Sequence, residues 1–148
     1  MELNKIMTHY VETIRSDASL QQAAQQMASL EVGMLPVMDE DQVVGTITDR
    51  DITVRATARG LDPKKTPVRS AMSEFVIFGF EAQDVRDAAR IMMDNQIRRL
   101  PILNQDKKLA GIVSLGDLSK ALDDKRLAGQ VLASISETTE PQVLDHMR

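Results

Sequence analysis

The sequence predicts a mixed α/β (α+β) fold in which one strand–helix–strand–strand–helix unit occurs twice. Two observations carry this. Met7, Ala23, Met27 and Pro36 recur as Met72, Ala88, Met92 and Pro101, each 65 positions on. Gly45-Thr46-Ile47-Thr48-Asp49-Arg50-Asp51 then returns as Gly111-Ile112-Val113-Ser114-Leu115-Gly116-Asp117, 66 positions on. The extra residue falls where Asp39-Glu40-Asp41-Gln42 faces the longer Asn104-Gln105-Asp106-Lys107-Lys108. A polar turn tolerates such a slip best. Two copies are too few for a solenoid, which needs about three repeats to bury its faces.

The elements follow in order. Val11-Glu12-Thr13-Ile14 is β-prone, and Ser16-Asp17-Ala18-Ser19 supplies helix-start residues. Leu20, Ala23, Ala24, Met27 and Leu30 keep helical spacing, with glutamines on the wet face. Gly33 suits the helix end. Met34-Leu35-Pro36-Val37-Met38 is a buried strand placed near a sheet edge, because proline removes a ladder donor. Val43 to Ile47 forms a second strand, and a helix carrying Ile52 and Val54 runs from near Thr48 to about Gly60.

The second copy reads as a strand at Val76-Ile77-Phe78 and a helix through Val85, Ala88, Ala89 and Met92. Strands at Leu100–Leu103 and Leu109–Val113 precede a helix from Ser114, continuing as an amphipathic helix through Leu122, Leu127, Val131 and Ile135. Arg55 to Arg69 carries five basic residues against one acid, with Pro63 and Pro67, and reads as a linker. The expected organisation is repeat 1 over 1–60, a linker over 61–70, repeat 2 over 71–124, and a C-terminal helix with a flexible tail over 125–148.

Composition narrows the function classes. The chain has 148 residues, 43% of them apolar, enough for a packed core. It has no cysteine, so disulfides and thiolate metal sites are excluded. No apolar run approaches the roughly 20 residues of a membrane span. Met1 to Lys5 shows no secretory core, so the expected location is the cytoplasm. A net charge of -4 and an aromatic content of 3% argue against nucleic-acid binding. His9 and His146 lie at opposite ends and suggest no metal site. With no phosphate loop and no nucleophile–base arrangement, the expectation is a non-enzyme. The nine methionines suit adaptable packing.

The doubled motif has two readings. Thr48-x-x-Asp51 and Ser114-x-x-Asp117 match a helix-capping pattern, although aspartate reaches back less well than glutamate. Alternatively, the glycine lets a ligand approach the strand backbone, the helix start offers N–H groups to phosphate, and the aspartate accepts hydrogen bonds from a ribose diol. The two readings are compatible.

From Ile6 to Asp123 the chain resembles a tandem pair of CBS (cystathionine β-synthase) domains, a Bateman module of the stand-alone bacterial type. The resemblance rests on Leu35-Pro36-Val37 and Leu100-Pro101-Ile102, in register with the two Gly-to-Asp motifs. The stretch from Ile97 to Leu118 is similar to the last repeat of the AMP-activated kinase regulatory subunit. The family implies two β-α-β-β-α repeats packed about a pseudo-two-fold axis, with two clefts for adenosine ligands. Carried over, one cleft groups Thr48 and Asp51 with Val76, Ile97, Arg98 and Arg99. The other groups Ser114 and Asp117 with Val11, Gly33 and Met34. Aspartates would take ribose hydroxyls, the hydroxyl residues phosphate, and apolar residues the adenine. Arg98 and Arg99 favour phosphate in the first cleft; their bland role is a solvated helix-end pair.

The resemblance implies an energy-sensing regulatory module with AMP, ADP or ATP as ligand, no required cofactor, a homodimer and a regulated partner protein. The alternative is a ligand-free scaffold acting through protein contacts.

Overall fold

The computed structural model describes residues 1–74, 77–122 and 125–136. Val76, Asp123, His146 and the expected tail over 137–148 lie outside the described residues.

The first repeat keeps the expected element order, with β1 moved from Val11–Ile14 to Ile14–Arg15: β1 (Ile14–Arg15), α1 (Leu20–Leu30), β2 (Met34–Asp39), β3 (Gln42–Thr48) and α2 (Asp49–Asp51). α2 continues as a π-helical segment over Ile52–Ala56 and a 3-10 turn over Thr57–Arg59, closed by Gly60 at φ 73°. The second repeat gives β4 (Gly79–Phe80), α3 (Val85–Asn95), β5 (Arg99–Leu103), β6 (Leu109–Ser114), α4 (Leu115–Ala121) and α5 (Lys125–Ser136). The strands form two three-stranded sheets, ordered β1-β2-β3 and β4-β5-β6.

Both proline strands are central, which corrects the edge placement. The geometry of Pro36 explains the tolerance. It pairs with Thr46 on β3, and Thr46 spends its N–H and its carbonyl on Ser73, at 3.0 and 2.9 Å. On the other side, β1 pairs only with Val37 and Met38. No ladder bond is therefore asked of the Pro36 nitrogen.

Other boundaries also move. β4 lies at Gly79–Phe80, not at Val76-Ile77-Phe78. α1 ends on Glu31 in the left-handed region (φ 55°), with the N–H groups of Glu31 and Val32 both donating to the Met27 carbonyl. That is a Schellman-type cap, so Gly33 is not the helix terminator. Gln96 (φ 53°) closes α3 in the same way. The helix after Ser114 stops at Leu122, whose ψ of 116° is extended, and α5 is a separate helix. Val54 is half exposed while Ala56 is buried, so the π segment turns a different face inward than uniform helical spacing predicts.

Contacts divide the chain into two compact units. The first comprises Tyr10–Phe78 and Leu103–Ala110; the second comprises Met1–His9, Gly79–Ile102 and Gly111–Arg148. The first unit closes on Ile14, Leu20, Ala23, Met27, Leu35, Val37, Ile47, Ala56, Val68 and Ala71. The presence of Val68 there shows that the segment over 61–70 is packed against its own unit. Val68 is fully buried, its N–H donates to Ala18 at 2.7 Å, and Pro63 and Thr66 accept from Gln21 and Leu20 at 3.0 Å. The segment is a strap on α1. In the second unit Leu3, Met92, Leu100, Ile102, Val113, Leu118 and Val131 are buried. Among the described residues no helix is long and apolar enough to cross a membrane.

Candidate functional site

Each motif sits where a strand hands over to a helix, and each is a complete capping box. Asp51 N–H donates to Thr48 Oγ1 at 3.0 Å, and Thr48 N–H donates to Asp51 Oδ2 at 3.0 Å. In the second repeat Asp117 N–H donates to Ser114 Oγ at 3.1 Å, and Ser114 N–H to Asp117 Oδ2 at 2.9 Å. The capping reading therefore holds in both copies, and the short aspartate reaches back without difficulty. The cause is local: Thr48 and Ser114 keep extended backbone (ψ 161° and 163°), which aims the hydroxyl at the third N–H of the turn.

The motif glycines serve the chain itself. A Cβ on Gly45 would lie 2.5 Å from the Ser73 carbonyl oxygen and 2.9 Å from Met72 Sδ. On Gly111 it would lie 2.6 Å from the Thr8 carbonyl oxygen and 2.8 Å from Met7 Sδ. The expectation that these glycines admit a ligand is corrected: a backbone bridge, Thr46 to Ser73 or Ile112 to Thr8, fills that space. Met7 and Met72, the first pair of the repeat, occupy equivalent places.

Gly33 has another use. A Cβ there would meet Asp49 Oδ2 at 3.0 Å, and the Gly33 carbonyl accepts from Asp49 N–H at 3.0 Å. Met34 stands opposite Thr48 across β2 and β3. The first unit thus brings Gly33, Met34, Thr48 and Asp51 together; Val11, half-buried ahead of β1, belongs to the same unit. The second unit repeats the arrangement. The Arg98 carbonyl accepts from Leu115 N–H at 2.8 Å, which sets Ile97, Arg98 and Arg99 beside Ser114 and Asp117. The arginines, grouped with Thr48 and Asp51 by the family resemblance, are adjacent within their own unit to the other motif. Both are exposed and form no salt bridge among the described residues.

Sequence reasoning missed Arg55. Its Nε lies 3.8 Å from Asp51 Oδ1, and its Nη1 donates to the Met72 carbonyl at 3.1 Å. The signal was present as an aspartate and an arginine four positions apart. A concavity of about 800 Å³ lies elsewhere on the first unit, bordered by Arg15, Asp41 and Lys108 but not by Thr48 or Asp51. Among the described residues no cluster of three or more His, Cys, Asp or Glu could hold a metal ion.

What the motifs offer is a pair of identically capped carboxylates. Each aspartate spends one oxygen on its cap; the other oxygen of Asp51 faces Arg55 Nε at 3.8 Å, and Asp117 forms no salt bridge among the described residues. A carboxylate so held is fixed in direction and suits two hydroxyl donors.

Comparison with known proteins agrees with this architecture. A family model for the CBS domain matches residues 3–56 and 68–124. The chain is 41% identical over 130 residues to the CBS domain-containing protein YhcV of Bacillus subtilis, covering 88% of this chain and 91% of that one. The conserved CBS domain protein TA0289 of Thermoplasma acidophilum superposes with a TM-score of 0.79 at 27% identity, covering 90% of this chain and 75% of that one. The CBS domain pair of protein MJ0100, solved in complex with 5′-methylthioadenosine and S-adenosyl-L-methionine, has a TM-score of 0.71 at 26% identity, covering 82% and 94%. The chain belongs to the CBS domain family and carries two copies of the domain.

Proposed function

We propose that this protein is a non-catalytic regulatory module of the cytoplasm that binds adenosine-type nucleotides, such as AMP, ADP or ATP, and modulates a partner protein. The observation carrying this reading is the repeated, rigidly capped hydroxyl–aspartate pair, Thr48 with Asp51 and Ser114 with Asp117. The aspartates would accept the ribose hydroxyls. The hydroxyl residues would take phosphate, with Arg98 and Arg99 adding charge-assisted bonds. Ile97, Val11 and Met34 would face the base, with Gly33 beside them. The complex of MJ0100 with two adenosine compounds supports the ligand class. A homodimer is proposed as the working form.

The test is calorimetry with AMP, ADP, ATP, S-adenosylmethionine and NADH, joined to native mass spectrometry of the purified protein. A ligand at a hundred times its Kd adds about 2.7 kcal/mol of stability, visible as a higher melting temperature. No heat and no retained ligand would reject the reading.

A second reading is favoured by a specific observation. Both motifs are already satisfied internally, by their caps and by the bridges over Gly45 and Gly111. A scaffold acting through protein contacts would need nothing more from them. Its signature is self-association and partner capture that no adenosine compound alters.

A further inference from the structure

The two motif aspartates have the same cap and different second oxygens. Asp51 Oδ1 faces Arg55 Nε at 3.8 Å, and the Asp51 side chain is only 13% exposed. The guanidinium is also tied down at its other end, where Nη1 donates to the Met72 carbonyl at 3.1 Å. Met72 in turn packs its sulfur against Gly45 of the same motif. Arg55 is therefore held over the aspartate from two sides. The repeat offset of 66 maps Arg55 onto Ala121, which carries no charge. No salt bridge to Asp117 occurs among the described residues.

We propose that Arg55 is a specificity-determining residue: an internal competitor that occupies Asp51 and makes the Thr48–Asp51 motif the weaker of the two for an uncharged vicinal diol. The inference rests on the reading of the motifs as nucleotide-binding and sets their order. A diol must donate to a carboxylate oxygen that still accepts. Asp117 offers one with no competing cation among the described residues. Asp51 offers one only when the ligand displaces or shares the guanidinium. Arg98 and Arg99, adjacent to Ser114 within their unit, add to the same ordering for phosphorylated ligands.

The experiment is calorimetry with adenosine, whose lack of phosphate removes any direct attraction to arginine. D117N leaves the first motif as the reporter; asparagine still accepts the cap hydrogen bond, so the fold is kept. In that background R55A raises adenosine affinity about threefold, the scale of one exposed ion pair. R55K keeps the cation and matches its D117N parent. Far-UV circular dichroism of each variant checks the fold. Affinity in D117N/R55A equal to or below that of D117N overturns the inference while leaving the nucleotide reading intact. Absence of adenosine and AMP binding by the wild type overturns both. If D117N abolishes binding, its return in D117N/R55A supports the inference and its continued absence overturns it.

Discussion

Replacing Gly45 with alanine is the sharpest test of how the repeats are built. The added Cβ would stand 2.5 Å from a backbone carbonyl, that of Ser73, so no side-chain rotation can relieve the clash. The Ser73 segment has to retreat. It would give up two hydrogen bonds with Thr46, at 3.0 and 2.9 Å. Each contributes about 1 kcal/mol net. Residual strain against Met72 Sδ, now 2.9 Å from the new atom, adds to this on the scale of core overpacking, about 1–3 kcal/mol. The expected loss is about 3 kcal/mol, equivalent to a fall of roughly 10 °C in Tm for a chain of this size. Urea unfolding followed by far-UV circular dichroism measures it. G129A is the control: Gly129 lies in α5 with nothing within 4 Å of the new Cβ, so helix propensity predicts a gain of about 1 kcal/mol. If G45A unfolds within 0.5 kcal/mol of wild type, roughly the error of such measurements, the close-approach argument is wrong.

Four further outcomes are expected. T48A and S114A each lose about 1 kcal/mol in ligand-free protein, because a helix cap acts without ligand; no loss would remove the capping boxes from the account. V68A costs about 1–2 kcal/mol in urea unfolding, since Val68 is fully buried in the strap over α1; a neutral result would contradict that packing. L100A costs about 3 kcal/mol, because Leu100 is fully buried on the central strand β5; a loss below that of V68A would place the second core elsewhere. Asp84 is held below its ordinary value of 3.8, first by the Arg86 N–H and then by the terminal ammonium 3.0 Å away. Its stabilising contribution is therefore complete above that value and lost as pH falls through the lower folded one. D84N should flatten the acid side of the stability curve, and NMR titration of Asp84 showing no depression would contradict this.

The repeat was legible because its markers are backbone devices. Gly45, Gly111, Pro36 and Pro101 fix close approaches and strand pairing, so they keep register in both copies. Ser19, Thr48 and Ser114 announced their helices because a cap acts over three residues and needs no tertiary partner. What failed depended on distant chain. Pro36 looked like an edge residue because the Thr46–Ser73 bridge that satisfies its neighbour lies far along the sequence. The packing of the 61–70 segment was not legible because its prolines and charges conceal Val68, and its backbone bonds go to α1. Gly33 reads as a helix stop because Glu31 in the left-handed region is not readable from residue type. At the motifs the residue types were legible and their loading was not. Arg55 stands four positions after Asp51, but the Met72 carbonyl that holds its guanidinium lies 17 positions along the chain.

The most direct measurement is calorimetric titration of AMP into wild type and into D51N/D117N. Asparagine keeps both caps, so the double variant removes charge and diol recognition while leaving the fold. The account predicts saturable heat with the wild type and a loss of affinity of at least about tenfold, or 1.4 kcal/mol, in the variant. Equal affinity in the two proteins would contradict it, and would leave Asp51 and Asp117 as helix caps alone.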